Sequence, residues 1–242
     1  MTLKPYYQDD YVTLYHGDCR EGLNSLVDEE VELVITDPPY TERVHKNSRL
    51  GNMKQTNTVG QSFAEITDED LTEIMTECGR VTQGWVIANM DYHHAVQYDT
   101  TPPPGLTMKR IGVWLKKNPI PQFTGDRPAQ GWEAIAYMHR ADRKSTWNGG
   151  GHAGNFHLPA VSGMGHPTSK PPAMIEQFVD WFSNPADPML DRPADLILDP
   201  FAGSGTTLRA AKNLGRRAIG YEVNEKYCEL IANRLSQEVL FA

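Results

Sequence analysis

Leu196-Ile197-Leu198-Asp199-Pro200-Phe201-Ala202-Gly203-Ser204-Gly205-Thr206-Thr207 is the stretch that decides the fold. A short apolar run of the buried-strand type ends at Asp199 and enters a glycine turn, and the turn opens a helix predicted to reach Leu214. Gly215-Arg216-Arg217 then turns into a strand, Ala218-Ile219-Gly220-Tyr221-Glu222, and a last helix is predicted from Glu225 to about Leu235. Gly203 and Gly205 let the backbone turn sharply and pass close to a ligand. Glu222 follows Asp199 by 23 residues, the spacing of a ribose-binding carboxylate in a βαβ nucleotide unit. A tight strand-to-helix turn with a surface glutamate is the plainer alternative. The turn holds no lysine and is not a P-loop, so a triphosphate is not expected there.

Upstream, Val31-Glu32-Leu33-Val34-Ile35-Thr36 is a second strand, and Asp37-Pro38-Pro39-Tyr40 ends it. Two prolines stop strand and helix alike, so a loop begins at the strand's carboxyl end, where open α/β sheets place ligands. Asp37 and the Pro38 carbonyl offer two acceptors to an exocyclic amine, because Pro39 brings no amide donor. Tyr40 offers a face for stacking. A rigid proline turn with an exposed tyrosine is the alternative. Residues 41–62 are polar and aperiodic, long for a structureless connection, and point to a functional or mobile loop. Thr67 is the expected N-cap of a helix to about Arg80, with Asp70 at the capping-box position. Strands are expected at 85–89, 111–116 and 133–138, and a helix from Lys170-Pro171-Pro172 to about Phe182. The glycine-rich stretch between is expected to be loop or a small insertion. Strands alternating with helices indicate an open, mostly parallel α/β sheet.

The 242 residues are 39% hydrophobic and 22% charged, which excludes a mainly disordered chain. No apolar run approaches the ~18 residues of a membrane span, and the N-terminus lacks a signal-peptide core, so a cytoplasmic location is expected. Cys19, Cys78 and Cys228 are too few and too scattered for a disulfide framework or a zinc site, and no metal is expected. The net charge is −8 but unevenly spread. Arg43, Lys46, Arg49 and Lys54 face only Glu42 within 41–60, and a second basic stretch, with Lys116, Lys117 and Arg127, lies within 105–147. Two basic stretches on an acidic body fit a surface for a polyanion, or ordinary solvated faces.

Asp37-Pro38-Pro39-Tyr40 together with Asp199-Pro200-Phe201-Ala202-Gly203-Ser204-Gly205-Thr206-Thr207 resembles the amino-directed, S-adenosylmethionine-dependent DNA methyltransferases, which act on N6 of adenine or N4 of cytosine. The catalytic motif precedes the glycine loop by 162 residues, an order that resembles the β class, a circular permutation of the usual chain. Tyr15-His16-Gly17-Asp18-Cys19 and His166-Pro167-Thr168-Ser169-Lys170-Pro171 also fit, and the resemblance runs from about residue 12 to 236. It implies a Rossmann-like methyltransferase fold in a single domain, with a seven-stranded, mostly parallel sheet and helices on both faces. A recognition insertion at about 139–165 is implied as well.

By the resemblance, Asp37, Pro38, Pro39 and Tyr40 carry the chemistry. The cofactor site comprises Asp18 and Cys19 near the adenine, Thr168, Ser169 and Lys170 near the methionine end, Asp37, Asp199 and Phe201 through Thr207, and Glu222 with Val223 at the ribose. Duplex DNA is the implied partner, with the target base flipped out. Asp at the first catalytic position leans toward adenine, and N4-cytosine is the alternative. The insertion is short for reading several base pairs, which implies a short site, loose specificity, or recognition shared across a homodimer. Such compactness resembles orphan enzymes of phages and prophages, hence a bacterial or phage-infected cell. A cofactor- and DNA-binding protein without turnover is the alternative of another kind.

Overall fold

The computed structural model describes residues 4–39, 66–123, 125–161 and 169–237. In chain order its elements begin β1 (Pro5–Gln8), β2 (Val12–His16), α1 (Cys19–Ser25), β3 (Val31–Thr36), α2 (Asp68–Val81), β4 (Thr82–Met90), α3 (Tyr92–Thr100) and β5 (Leu106–Lys116). They continue β6 (Trp132–Arg140), β7 (Asn155–Leu158), α4 (Pro172–Phe182), β8 (Leu196–Asp199), α5 (Thr206–Asn213), β9 (Arg217–Glu222) and α6 (Glu225–Leu235).

The strands form one sheet in the order β1-β2-β9-β8-β3-β4-β6-β5-β7. Among the described residues nine strands stand where seven were implied. β1, antiparallel to β2, and β7, parallel to β5, are four-residue additions at the two rims. The centre is parallel, β2-β9-β8-β3-β4, and β6 returns antiparallel between β4 and β5. Apolar side chains of α1, α2 and α3 pack on one face of this sheet, and those of α4, α5 and α6 on the other. Alternation along the strands feeds both layers: Leu33, Ile35 and Ile87 face the second set, Val34, Val86 and Ala88 the first.

Local chemistry sets the boundaries. Thr67 and Asp70 form the capping box at the start of α2, each side chain accepting from the other's backbone amide. Pro172 opens α4 at the position where a missing N–H costs nothing. From β3 the chain passes through α2 to β4 on one side, while from β8 it passes through α5 to β9 on the other. The carboxyl ends of β3 and β8 therefore border a topological switch point, the crevice where open α/β sheets bind ligands.

The described part of the expected insertion is tied to the body. Trp147 packs against Trp181 and Phe182, the Asn148 amide donates to the Trp181 carbonyl at 2.7 Å, and Asn155–Leu158 extends the sheet.

Candidate active site

β3 and β8 run parallel with Leu33 beside Ile197 and Val34 beside Leu198, so the turns that follow them emerge side by side. Asp37 is half-buried after β3, and Lys170, in the segment leading into α4, places its Nζ 2.5 Å from Asp37 Oδ2. The same ammonium lies 3.4 Å from Glu133 Oε2 on β6. The other Glu133 oxygen takes the Lys116 ammonium of β5 at 2.6 Å, and that Nζ sits 5.1 Å from the Trp114 ring centre. Burial pushes the Asp37 carboxyl above the ordinary range, the Lys170 ammonium pulls it back, and the Glu133 charge adds to the rise. Against the cost of burial, Lys170 and Lys116 hold Glu133 below the usual carboxylate range.

The glycine loop after β8 is a cradle that other residues would fill. Gly203 and Gly205 have φ of +53° and +73°. A Cβ on Gly205 would stand 2.9 Å from an Ile231 methyl, so the left-handed turn and the helix behind it both exclude a side chain. The Gly203 amide donates to Glu222 Oε2 at 2.9 Å, and the Asn224 amide to Oε1 at 2.8 Å. The ribose candidate thus also braces the loop. The Ala202 amide donates to the Tyr221 carbonyl and the Gly205 amide to the Ala202 carbonyl, while Ser204 and Thr206 pair their hydroxyls at 3.1 Å. Asp199 is buried and accepts from the Phe201 amide at 3.1 Å. Burial pushes its carboxyl up to about 7 against hydrogen bonds from Thr207 and Phe201, and the Asp37 charge adds to the rise.

Asp18 caps α1, accepting from the Arg20 amide, and grips the Arg20 guanidinium at 2.6 Å, which holds it below the usual range. Cys19 beside it is buried, its thiol pushed up to about 12 by desolvation. The Gly17 amide donates to the Glu222 carbonyl, and the His16 ring meets the Val223 carbonyl at 3.0 Å, so the Asp18 and Glu222 segments adjoin.

The sequence-predicted residues therefore fall into place unevenly. Asp37, Asp199, the Phe201–Thr207 loop, Ser169 and Lys170 line the carboxyl edge, with Asp18, Cys19, Glu222 and Val223 along its β9 side. Tyr40, Thr168, Arg43, Lys46, Arg49, Lys54 and the 41–62 loop lie outside the described residues. Lys117 is exposed, as is Arg127, which pairs with Asp126 at 2.6 Å. Lys116, expected at the DNA face, is instead engaged by Glu133. Glu133 itself was missed, although a lone acid in Trp132-Glu133-Ala134-Ile135-Ala136 was its signal. Asn89 was missed too. It is buried one residue beyond the Thr36–Ala88 pairing, and neither amide atom has a partner among the described residues. Each of the three cysteines is a buried free thiol. No group of three His, Cys, Asp or Glu among the described residues could hold a metal ion. Nor is any described helix long and apolar enough to cross a membrane.

The chain is similar to known methyltransferases over nearly its whole length. Residues 142–234 match the N6/N4 DNA methylase family model. The type II methyltransferase M.HinfI of Haemophilus influenzae is 26% identical over 97% of this chain and 71% of its own. The structure of M1.HpyAVI with S-adenosylmethionine superposes with a TM-score of 0.69 at 24% identity, covering 93% of this chain and all of that one. The cytosine-N4-specific PvuII DNA methyltransferase reaches 0.73 at 16% identity, over 99% and 91% of the two chains. With two motif-bearing turns side by side at one switch point, the chain is similar to the N6/N4 DNA methylases over residues 142–234 and has the fold of the solved methyltransferase structures.

Proposed function

We propose that the chain transfers a methyl group from S-adenosylmethionine to the exocyclic N6 of adenine in duplex DNA, in line and after the base has flipped out of the helix. The observation that carries this reading is Asp37, kept near a buried cation at the strand end next to the glycine cradle. When bound, S-adenosylmethionine supplies an electrophilic methyl. The chain's part is to make a poor nucleophile competent. An exocyclic amine delocalises its lone pair into the ring; Asp37 and the Pro38 carbonyl accept its two N–H bonds and favour a more tetrahedral nitrogen. Positioning and fixed electrostatics supply the acceleration, and no covalent intermediate with the protein is needed.

The glycine cradle and Glu222 fit a nucleoside cofactor, since the loop approaches closely and the carboxylate stands at the end of β9. Ser169 and Lys170, the latter on Asp37, are the candidates for the methionine end. Flipping costs a few kcal/mol, offset by stacking on Tyr40. Lys117, Arg127 and the cations of the 41–62 loop are the phosphate contacts, so DNA affinity falls as salt rises. Recognition shared across a homodimer accords with the small insertion. N4-cytosine is the second reading, favoured by the likeness to a cytosine-N4-specific enzyme.

The test is to incubate the chain with S-adenosylmethionine and unmethylated duplex DNA of mixed sequence, then identify nucleosides by mass spectrometry. N6-methyladenine is expected. N4-methylcytosine would keep the mechanism and replace the base. Cofactor binding without either product would leave a binding protein without turnover.

A further inference from the structure

Lys170 stands between two carboxylates, and only one of them is needed by the reaction. Its ammonium touches Asp37 Oδ2 at 2.5 Å and faces Glu133 Oε2 at 3.4 Å. The Lys170 side chain is 8% exposed and that of Glu133 14%, so neither charge can be left without a partner at small cost. Lys116 fixes Glu133 through its other oxygen at 2.6 Å, which leaves Oε2 turned to Lys170. The four charges alternate in sign and sum to neutrality. As described, Lys170 occupies one oxygen of the carboxylate that must accept the amine.

We propose that Glu133 is a positioning residue, a second seat that draws the Lys170 ammonium off Asp37 when the target amine arrives. The inference rests on the reading of Asp37 as the amine's acceptor. The ammonium stays paired throughout, so the exchange exposes no buried charge, and no covalent bond is made or broken. Glu133 acts only through Lys170. Lys116 keeps the seat in place, which links the rate of methyl transfer to a side chain at the end of β5, beside the exposed Lys117.

Four titratable groups face Asp37: Lys170 ahead of α4, Glu133 on β6, Lys116 on β5 and Asp199 on β8. The two lysines pull its carboxyl down and Glu133 pushes it up, while Asp199, raised to about 7, is neutral over the acid limb. Replacing Glu133 by glutamine removes a charge that raises Asp37 and removes the second seat together. Glu133→Gln is therefore expected to lower the plateau kcat on DNA at least tenfold and to shift the acid limb of its pH profile downward. Cofactor Kd by calorimetry should stay within about threefold. Glu133→Asp, which keeps the charge, should restore the limb and part of kcat. Lys116→Met removes a cation and should shift the limb upward; it carries the test if Glu133→Gln does not fold. An unmoved limb in either folded variant would overturn the proposal. So would a moved limb with an unchanged plateau, which would leave Glu133 a background charge. If the unaltered chain methylates neither base, the reading of Asp37 falls, and this inference with it.

Discussion

Asp37 and Asp199 stand at the carboxyl ends of neighbouring parallel strands, and each precedes a proline. Their surroundings differ. Asp37 meets an ammonium and remains about a third exposed, whereas Asp199 is 4% exposed and meets hydroxyl and amide donors. Burial raises both carboxyls; the Lys170 ammonium pulls Asp37 back, whereas only neutral hydrogen-bond donors oppose the rise at Asp199. One sequence signature, Asp-Pro at a strand end, thus yields a carboxyl paired with a cation and a buried carboxyl held by neutral donors beside the glycine loop. The difference comes from what the neighbouring strands and loops bring, not from the motif.

The largest effect should come from the first of the pair. Asp37→Ala is expected to reduce methyl transfer by at least about a thousandfold, the loss of a group that both positions and polarises the amine. Calorimetry should find cofactor binding within a few-fold of the unaltered chain. Turnover that survived this change would erase the contrast between the two acids.

Asp199 predicts a stability effect. Its carboxyl is raised from 3.8 to about 7 in the fold, so the native state binds a proton that the unfolded chain releases. The stability this proton provides is complete below about pH 4 and is lost as pH rises through about 7, by on the order of 4 kcal/mol. Asp199→Asn, which is always neutral, should lack that loss. Urea unfolding at pH 5 and pH 8 measures the slope, and equal slopes in the two chains would show Asp199 already ionised.

The smallest effect belongs to a third acid of this edge. Glu222 spends both oxygens on backbone amides and is raised by burial. Glu222→Gln should weaken cofactor binding about tenfold, or ~1.4 kcal/mol, by calorimetry, while turnover at saturating cofactor is kept. Unchanged affinity would assign Glu222 to the loop alone.

The parallel half of the sheet was legible because local rules governed it. β3 runs over the residues its apolar content marks, α2 starts at its capping box, and α4 starts at its proline. α3 was not legible. Tyr92-His93-His94-Ala95-Val96-Gln97 has no apolar period; the Asp91 cap and a buried His94, clamped between Asp91 and Asp68, hold it. β1 escaped too, since four residues pair only because Asp9 accepts from the Tyr11 and Val12 amides and folds the chain back. At the site, the motif residues were legible as residue types in order. The Lys170–Glu133–Lys116 chain was not, because only the antiparallel return of β6 brings Glu133 within reach of Lys170 and Asp37.

Both rims of the sheet end in strands of four residues, Pro5–Gln8 and Asn155–Leu158. The first begins with a proline, which has no N–H to offer. Such short borders present few free donors and acceptors, the usual defence against edge-to-edge growth. A second copy of the chain would find little ladder to continue at β1, whereas β7 covers only Val113–Lys116 of β5 and leaves Leu106–Gly112 beyond it. Extension of the sheet by a second copy would then run through the β5 border rather than through β1.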